Sequence, residues 1–299
     1  MELREMRAFI AVVEEGGLSA AARRLHVSQP ALSQTIATLE RQLGVQLLVR
    51  ASTGVRPTDA GKTLLAEARA VLARYDQALA AVAGDRPAGG NVLRLGIPLE
   101  LPADLLVQPL ADVAAAYPGT RVKALHLSTA AQFAALRAGE LDVGLVREHP
   151  VGPELDATLV VEERLGVLLA AAQAERLAGP DGIRLDALAG LEWVGFGRSG
   201  SPAWYDELTA ILRSHGLELG SPAPGAQELI ADVKLAAVTS GQAFALAPPN
   251  WPQPLPDQVV WLPLAGHPLV RRTWAVWPAA SRRRDVGLFV AALGSLWRP

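Results

Sequence analysis

The stretch from residue 16 to residue 61, GGLSAAARRLHVSQPALSQTIATLERQLGVQLLVRASTGVRPTDAG, leaves few options for how the first part of this chain folds. Ser19 and Ser28 each precede a helical run and are placed to accept a bond from first-turn amides. His26 and Val27 between the runs leave room only for a turn, so the two helices must cross steeply, as in a helix-turn-helix. In the second run Leu32, Ile36, Leu39 and Leu43 form one apolar stripe at helical spacing. Val27 and Leu32 hold the positions of a hydrophobic staple around a Ser28 cap. Pro30 in the first turn gives up only an amide that the helix leaves unbonded.

The face opposite the stripe indicates what the unit is for. Pro30, Gln34, Ala37, Thr38 and Arg41 fall there, with Gln29 and Ser33 near its edge. These side chains are mostly short, or carry amides and hydroxyls, as a helix entering the DNA major groove requires: Gln reads adenine, and Ser and Thr bond several base edges. From Gly16 to Thr58 there are five arginines (23, 24, 41, 50 and 56), no lysine, and one acid, Glu40. A net +4 beside a helix-turn-helix suits phosphate neutralisation. A polar, solvated helix in an ordinary bundle is the plainer reading of the same pattern.

The run SAAARRLHVSQPALSQTIATLERQLGVQLLVR, followed by VRPTDAG, resembles the winged helix-turn-helix of LysR-type transcriptional regulators. The resemblance continues more weakly to the end of the chain. It implies that Gln29, Pro30, Ser33 and Gln34 face base edges, and that Arg50 and Arg56 on the wing reach phosphate or the minor groove. Leu48-Val49 departs from the family, which usually carries an aromatic before the arginine pair; the change bears on packing under the wing.

Beyond the wing, residues 59 to about 83 read as one long helix capped by Thr58 or Asp59. Leu64, Ala68, Val71, Tyr75, Ala78 and Val82 alternate steps of four and three, a heptad seam. The span is about 39 Å at 1.5 Å per residue. We read residues 59–84 as a dimerising linker; two-fold pairing would place two recognition helices about one DNA turn apart on a roughly palindromic site. Residues 85–91, rich in Gly and Pro, read as a hinge. Strands at 92–97, 121–127 and 141–146 then alternate with helices at 104–117 and 130–138. This argues for an α/β body with a largely parallel sheet. A second set follows: strands at 164–170, 193–196, 243–247, 259–264 and 273–277, and helices at 204–215, 229–238 and 286–297.

The expected organisation is therefore a winged helix-turn-helix over residues 1–58, the linker helix, the hinge, and an effector-binding domain over 92–299. By resemblance the last is like a periplasmic binding protein, with subdomain I formed by 92–162 and 265–299 and subdomain II by 163–264. Residues 1–86 carry 11 basic and 9 acidic side chains, and 87–299 carry 17 and 21, so the body is not expected to wrap nucleic acid itself.

Small molecules bind such sheets at the C-terminal ends of strands, where loops lead into helix N-termini. Five loops of that kind supply Leu99, Glu100, Ser128, Thr129, Arg147, Arg198, Ser199, Ser201 and Gln227. Helix capping alone accounts for any single Ser or Thr among them. As a set they favour a polar effector with an anionic group that Arg198 or Arg147 pairs. Glu100 stands where many family members carry a hydroxyl and would repel a carboxylate, so an amine-bearing or neutral ligand stays open.

No cofactor, metal site or catalytic set is expected. There is no cysteine, which removes disulfides, thiolate zinc and thiol nucleophiles, and the histidines at 26, 126, 149, 215 and 267 never pair at metal-ligand spacing. Gly195–Gly200 satisfies GxGxxG but runs into Ser201-Pro202 deep in the chain, and Ser199 lacks the GxSxG spacing of a hydrolase. The start of the chain has no signal-peptide pattern and no run is long enough to span a membrane, so a cytoplasmic setting is expected. By resemblance the mechanism is a dimer of dimers whose arrangement on promoter DNA shifts when an effector closes the cleft. A solute-binding or enzymatic body, its helix-turn-helix serving only assembly, is the other reading.

Overall fold

The computed structural model describes residues 1–51, 54–82, 92–102, 104–219, 231–251 and 254–296. Its contacts divide the chain into two compact units, one of residues 1–89 with 134–140 and the other of residues 90–133 with 141–299. The expected hinge and Gln227 lie outside the described residues, and of Arg50 only the backbone is described.

The first unit runs α1 (Leu3–Glu14), α2 (Leu18–Arg24), α3 (Gln29–Leu43), β1 (Leu48–Ala51), β2 (Gly54–Pro57) and α4 (Asp59–Val82). Its core joins Phe9, Val12, Ala21, Leu32, Leu39 and Leu47, all almost fully buried. Ala21 and Ala22 let α2 lie close against its neighbours, since nothing beyond a methyl separates the backbones. Ser28 caps α3, its Oγ accepting from Ala31 N–H at 3.4 Å. Ser19 does not cap α2: the helix already includes it, and the extended Gly17 holds the cap position. Leu43 and Val27, expected on the stripe and in the staple, stay 40% and 47% exposed. They lie at the two ends of α3, and burial of the stripe is confined to Leu32, Ile36 and Leu39 between them.

β1 and β2 form an antiparallel hairpin with Arg50 opposite Val55. Glu40 fixes its base, because one carboxylate oxygen accepts from Leu47 N–H at 2.7 Å and Leu48 N–H at 3.1 Å. The hairpin is joined to α4 through Thr58, whose hydroxyl donates to Gln46 O at 2.8 Å and accepts from Gly61 N–H at 3.0 Å. Leu64 and Leu65 pack on the three-helix core and Ala68 is buried, while Val71 and Tyr75 further along α4 are exposed.

The second unit contains β3 (Val92–Ile97), α5 (Val107–Ala116), β4 (Arg121–His126), α6 (Thr129–Arg137), β5 (Val143–Val146), β6 (Leu155–Arg164) and β7 (Gly166–Ala170). It continues with α7 (Ala171–Leu177), β8 (Ala178–Gly179), β9 (Gly182–Ile183), β10 (Glu192–Trp193) and α8 (Pro202–Ser214). Last come α9 (Ala231–Thr239), β11 (Ala243–Ala247), β12 (Val259–Pro263), β13 (Val270–Pro278) and α10 (Arg284–Leu296). Two larger sheets organise it, one ordered β4-β3-β5-β13-β6 and the other β10-β11-β7-β12. The chain passes from the first to the second after β6 and returns before β13.

The expectation of a largely parallel sheet fails. β3 pairs in parallel with β4 and β5, but β13 runs antiparallel to both β5 and β6, and β7 antiparallel to β11 and β12. Long return strands, rather than helices alone, carry the chain between the sheets. β6 was not expected as a strand, because its second half, Glu162-Glu163-Arg164, is charged. Pairing along β13 supplies its ladder bonds all the same. Leu93, Leu95, Leu145 and Phe289 lead the core of the first sheet, and Val167, Leu169, Leu208 and Phe244 that of the second. Among the described residues no helix is long and apolar enough to cross a membrane.

Gly61 fits where no larger residue does: a Cβ there would lie 2.1 Å from Leu47 O. Gly61→Ala is expected to destabilise the first unit by about 1–3 kcal/mol, the usual range for overpacking. Hydrogen exchange reads this as lost protection across α1–α3, with the second unit's amides unchanged.

Candidate functional site

Two surfaces carry most of the residues expected to bind a partner. The first is the outward face of α3. With Leu32, Ile36 and Leu39 turned into the core, Gln29, Pro30, Gln34 and Ala37 are exposed and Ser33 and Thr38 are half-buried at the edges. Arg41 donates to Thr38 Oγ1 at 3.2 Å, fixing that hydroxyl as an acceptor. Arg56 is exposed on β2, opposite Val49. Leu48, at the departure from the family pattern, packs against the core, and Val49 faces outward. Arg24 is committed elsewhere, to Glu14 at 2.8 Å and Glu15 at 3.2 Å. Glu40 is spent on the base of the hairpin, so the lone acid of this region does not oppose an anion on the α3 face.

The second surface is a cavity of about 320 Å³ at the strand ends of both sheets in the larger unit. Trp193, Phe196 and Trp204 wall it with Leu99, Leu127 and Leu208. Trp193, Phe196 and Tyr205 interlock, with ring centroids 5.8 to 6.2 Å apart. Gly195 permits this, since a Cβ there would strike the Trp193 indole at 2.5 Å. The GxGxxG spacing therefore serves an aromatic wall. Ser128, Thr129, Ser199 and Ser201 supply the hydroxyls.

One end of the cavity is made of charges removed from water. Glu100, in the loop after β3, adopts a left-handed backbone with φ +56°. Its carboxylate accepts from Lys234 of α9, and from Arg271 of β13 at 2.9 Å. Arg271 also binds Glu163 of β6 at 3.0 Å. Arg147, following β5, lies 3.7 Å from Glu163 and donates to the Leu99 and Glu100 carbonyls at 2.8 and 3.0 Å. It donates in addition to the Thr273 hydroxyl. Strain of about 1–3 kcal/mol at a left-handed non-glycine residue persists only where its surroundings over-determine it. Here the Glu100 carbonyl accepts from two guanidinium groups and its carboxylate from two cations.

Burial alone would raise the Glu100 carboxyl, but Lys234 and Arg271 together hold it below its ordinary value. Burial lowers Lys234, against the pull of Glu100. Burial, reinforced by Arg271, pushes Arg147 down to about 9.

Of the residues expected at a ligand site, Leu99, Glu100, Ser128, Thr129, Arg147 and Ser199 line this cavity. Arg198 does not. Its guanidinium turns to Asp206, at 2.6 and 2.7 Å, on the exposed surface. Arg147 lines the wall with its guanidinium already engaged by backbone and Thr273, so it is a strut and not an open anion receptor. Lys234 and Arg271 were not anticipated. A signal for Lys234 did exist, because lysine occurs in this chain only at 62, 123 and 234. Arg271 left no comparable trace, one arginine in an arginine pair on a strand.

The model of the LysR-family bacterial regulatory helix-turn-helix protein matches residues 3–62, and that of the LysR substrate binding domain matches residues 88–298. The chain is 30% identical over 282 residues to YnfL of Escherichia coli K12, a helix-turn-helix transcriptional regulator, covering 93% of this chain and 92% of the relative. It is 31% identical to the transcriptional regulator ClcR of Pseudomonas putida, covering 84% and 86%. Among solved structures it is similar to CbnR, a LysR family transcriptional regulator, with TM-score 0.68, 26% identity and all of both chains covered. CbnR complexed with its target DNA gives TM-score 0.65 at 26% identity, covering 99% of this chain and 100% of the other.

Removing the Glu100 charge leaves buried Lys234 without its acid and Arg271 with Glu163 alone. Glu100→Gln is expected to cost about 3–5 kcal/mol in stability at neutral pH, the range for breaking a buried pair by deleting one partner. Because the folded carboxyl lies below its unfolded value, its contribution is complete above the ordinary carboxylate range and is lost as pH falls through the folded value. Urea unfolding across pH should therefore show the two proteins converging in acid.

Proposed function

This chain belongs to the LysR family of transcriptional regulators, and from that premise we propose how its parts divide the work. The winged helix-turn-helix of residues 1–58 reads a promoter sequence. Gln29, Pro30, Ser33, Gln34 and Thr38 approach base edges, and Arg50 and Arg56 neutralise backbone phosphate. Residues 59–84 pair two chains, the exposed Val71 and Tyr75 of α4 being offered to the second copy.

Within the effector domain, residues 92–162 and 265–299 act as one subdomain and 163–264 as the other, with the two passages between the sheets as pivots. A small-molecule effector occupies the cavity, contacting Leu99, Glu100, Ser128, Thr129, Ser199 and Ser201, with Lys234 added to the expected set. Arg198 is left out of it. Binding shifts a dimer of dimers between two arrangements on DNA, which requires unequal affinity for the two states. We assign the chain no reaction of its own, and a regulator of chromosomal genes works in the cytoplasm.

The observation that carries this reading is the outward face of α3: exposed Gln29, Pro30, Gln34 and Ala37, edged by half-buried Ser33 and Thr38, over a tightly packed apolar core. Footprinting on the DNA upstream of the coding sequence tests it, with protection over a dyad expected and changed by an added metabolite. Absence of protection at low salt, there and on pooled genomic fragments, would overturn it.

Two variants refine the assignment. Gln34→Ala should cost about 1–3 kcal/mol on the cognate site and relax its sequence preference. Arg56→Ala should weaken all sequences alike and flatten the slope of log K against log salt by about one. Fluorescence anisotropy across a salt series separates the two.

A further inference from the structure

The wall of the cavity holds cations and acids, yet it offers a ligand no free charge. Among the described residues, each Lys or Arg that lines it already has an acid: Lys234 has Glu100, Arg271 has Glu100 and Glu163, and Arg147 has Glu163. Backbone carbonyls take further donors, Leu246 O from Lys234, and Leu99 O and Glu100 O from Arg147. Both oxygens of Glu100 are engaged, one by each cation. Lys234 and Arg271 hold its carboxyl below the ordinary value, so it is ionised at neutral pH with no ligand present. An arriving carboxylate would have to evict it, and an arriving ammonium would find it taken.

The helix ends at the cavity are closed in the same way. Glu148 accepts from Trp204 N–H at 3.1 Å in the first turn of α8. Ser128 Oγ accepts from Ala131 N–H at 3.3 Å in the first turn of α6, and Thr129 Oγ1 accepts from Arg147 N–H at 3.1 Å. His126 Nδ1 is within 3.0 Å of Ile97 O and donates to it. What remains for a ligand is apolar surface and hydroxyl protons. Trp193, Phe196, Trp204 and Leu208 supply the surface. Ser128, its oxygen occupied, keeps a proton to donate. Ser201 lines the cavity, is 7% exposed, and its hydroxyl has no hydrogen-bond partner. A buried hydroxyl left unpaired costs free energy until something bonds it.

We propose that Glu100 stands in for the charge of a ligand, and that the cavity takes an uncharged aromatic compound bearing a hydroxyl or carbonyl oxygen. That oxygen accepts from Ser128 and Ser201, and the ring lies among Trp193, Phe196 and Trp204. A charged ligand buried in a wall with no free counter-charge regains nothing for its lost hydration. An uncharged one gives up only hydrogen bonds, which the serines replace. The backbone of Glu100 does not yield its place, because its carbonyl accepts from both Arg147 and Arg271. At about 320 Å³ the cavity is at the small end for ligand sites, which run from ~300 to 1,000 Å³. The inference rests on the effector-controlled regulator reading above.

Calorimetry on the full-length protein tests the ligand class with matched probes at millimolar concentration. Phenylacetamide and phenethyl alcohol are set against phenylacetate and phenethylamine, and indoleacetamide and tryptophol against indoleacetate and tryptamine. The amide and alcohol of each skeleton are expected to bind about tenfold or more tightly than its acid and amine. Glu100→Gly tests the stand-in directly. Glycine suits the φ of +56°, and loss of the side chain leaves Lys234 and Arg271 room for a small carboxylate. The variant should melt below the parent. Acetate, but not acetamide or sodium chloride, should raise its melting temperature, and it should bind phenylacetate. Neither the parent nor Glu100→Gln, whose amide fills the space, should respond to acetate.

An acid or amine that binds the parent as tightly as its uncharged partners overturns the proposal, as does binding by none of the panel, or a folded Glu100→Gly indifferent to acetate. Should that variant not fold, the panel on the parent decides. A protein that footprints its promoter and responds to a metabolite extract but to no uncharged probe refutes the ligand class and leaves the regulator standing. A protein that binds the uncharged probes without protecting DNA refutes the regulator and leaves the ligand class.

Discussion

The larger unit depends on an ion network that is almost wholly buried. Glu100, Lys234, Arg271, Glu163 and Arg147 come from a loop, a helix and three different strand regions. Each is stable where it is only because the others are present, since a lone buried charge costs far more than a paired one gains. Lys234 belongs to α9, which packs on β11 and β7 of the second sheet, while Glu100 and Arg271 belong to the first. The Lys234 to Glu100 contact is therefore a direct bond between the two halves of the effector domain, in the wall of the cavity.

The first unit is held by the opposite means. Phe9, Val12, Leu32 and Leu39 bury apolar area, and alanines on α2 let the helices approach. Its polar contacts are fasteners at the edges: Ser28 on α3, Glu40 on the hairpin base, Thr58 on the start of α4. The division suits the tasks. A surface that recognises a regular groove needs a stiff backbone with exposed variable side chains. A cavity that takes a small molecule needs walls held in place, and paired buried charges hold these.

Much of the first unit was legible because its determinants are local. The apolar stripe of α3, the cap at Ser28 and the turn at His26-Val27 lie within a few residues of one another, and helical periodicity converts spacing directly into facing. The misreadings lie at element ends. Ser19 is inside α2 because extended Gly17 takes the cap position, and Leu43 is exposed because only the middle of the stripe is covered. In the second unit the alternation of strands and helices was readable, but the direction of pairing was not. β6 is charged over its second half and shows its strand character only beside β13.

By itself, the sequence determined the family, the reading helix, the α/β character of the body and the loops that converge on one edge of it. These follow from periodicity, turn chemistry and local motifs, which act over a few residues. Only the tertiary structure decided which charges are spent and which are offered. Arg198 turns out to Asp206 and Arg147 props the Glu100 loop, while Lys234 and Arg271, far apart in the chain, close on the same carboxylate. Electrostatic pairing in a buried site depends on distances between segments more than a hundred residues apart, and no local pattern encodes those distances.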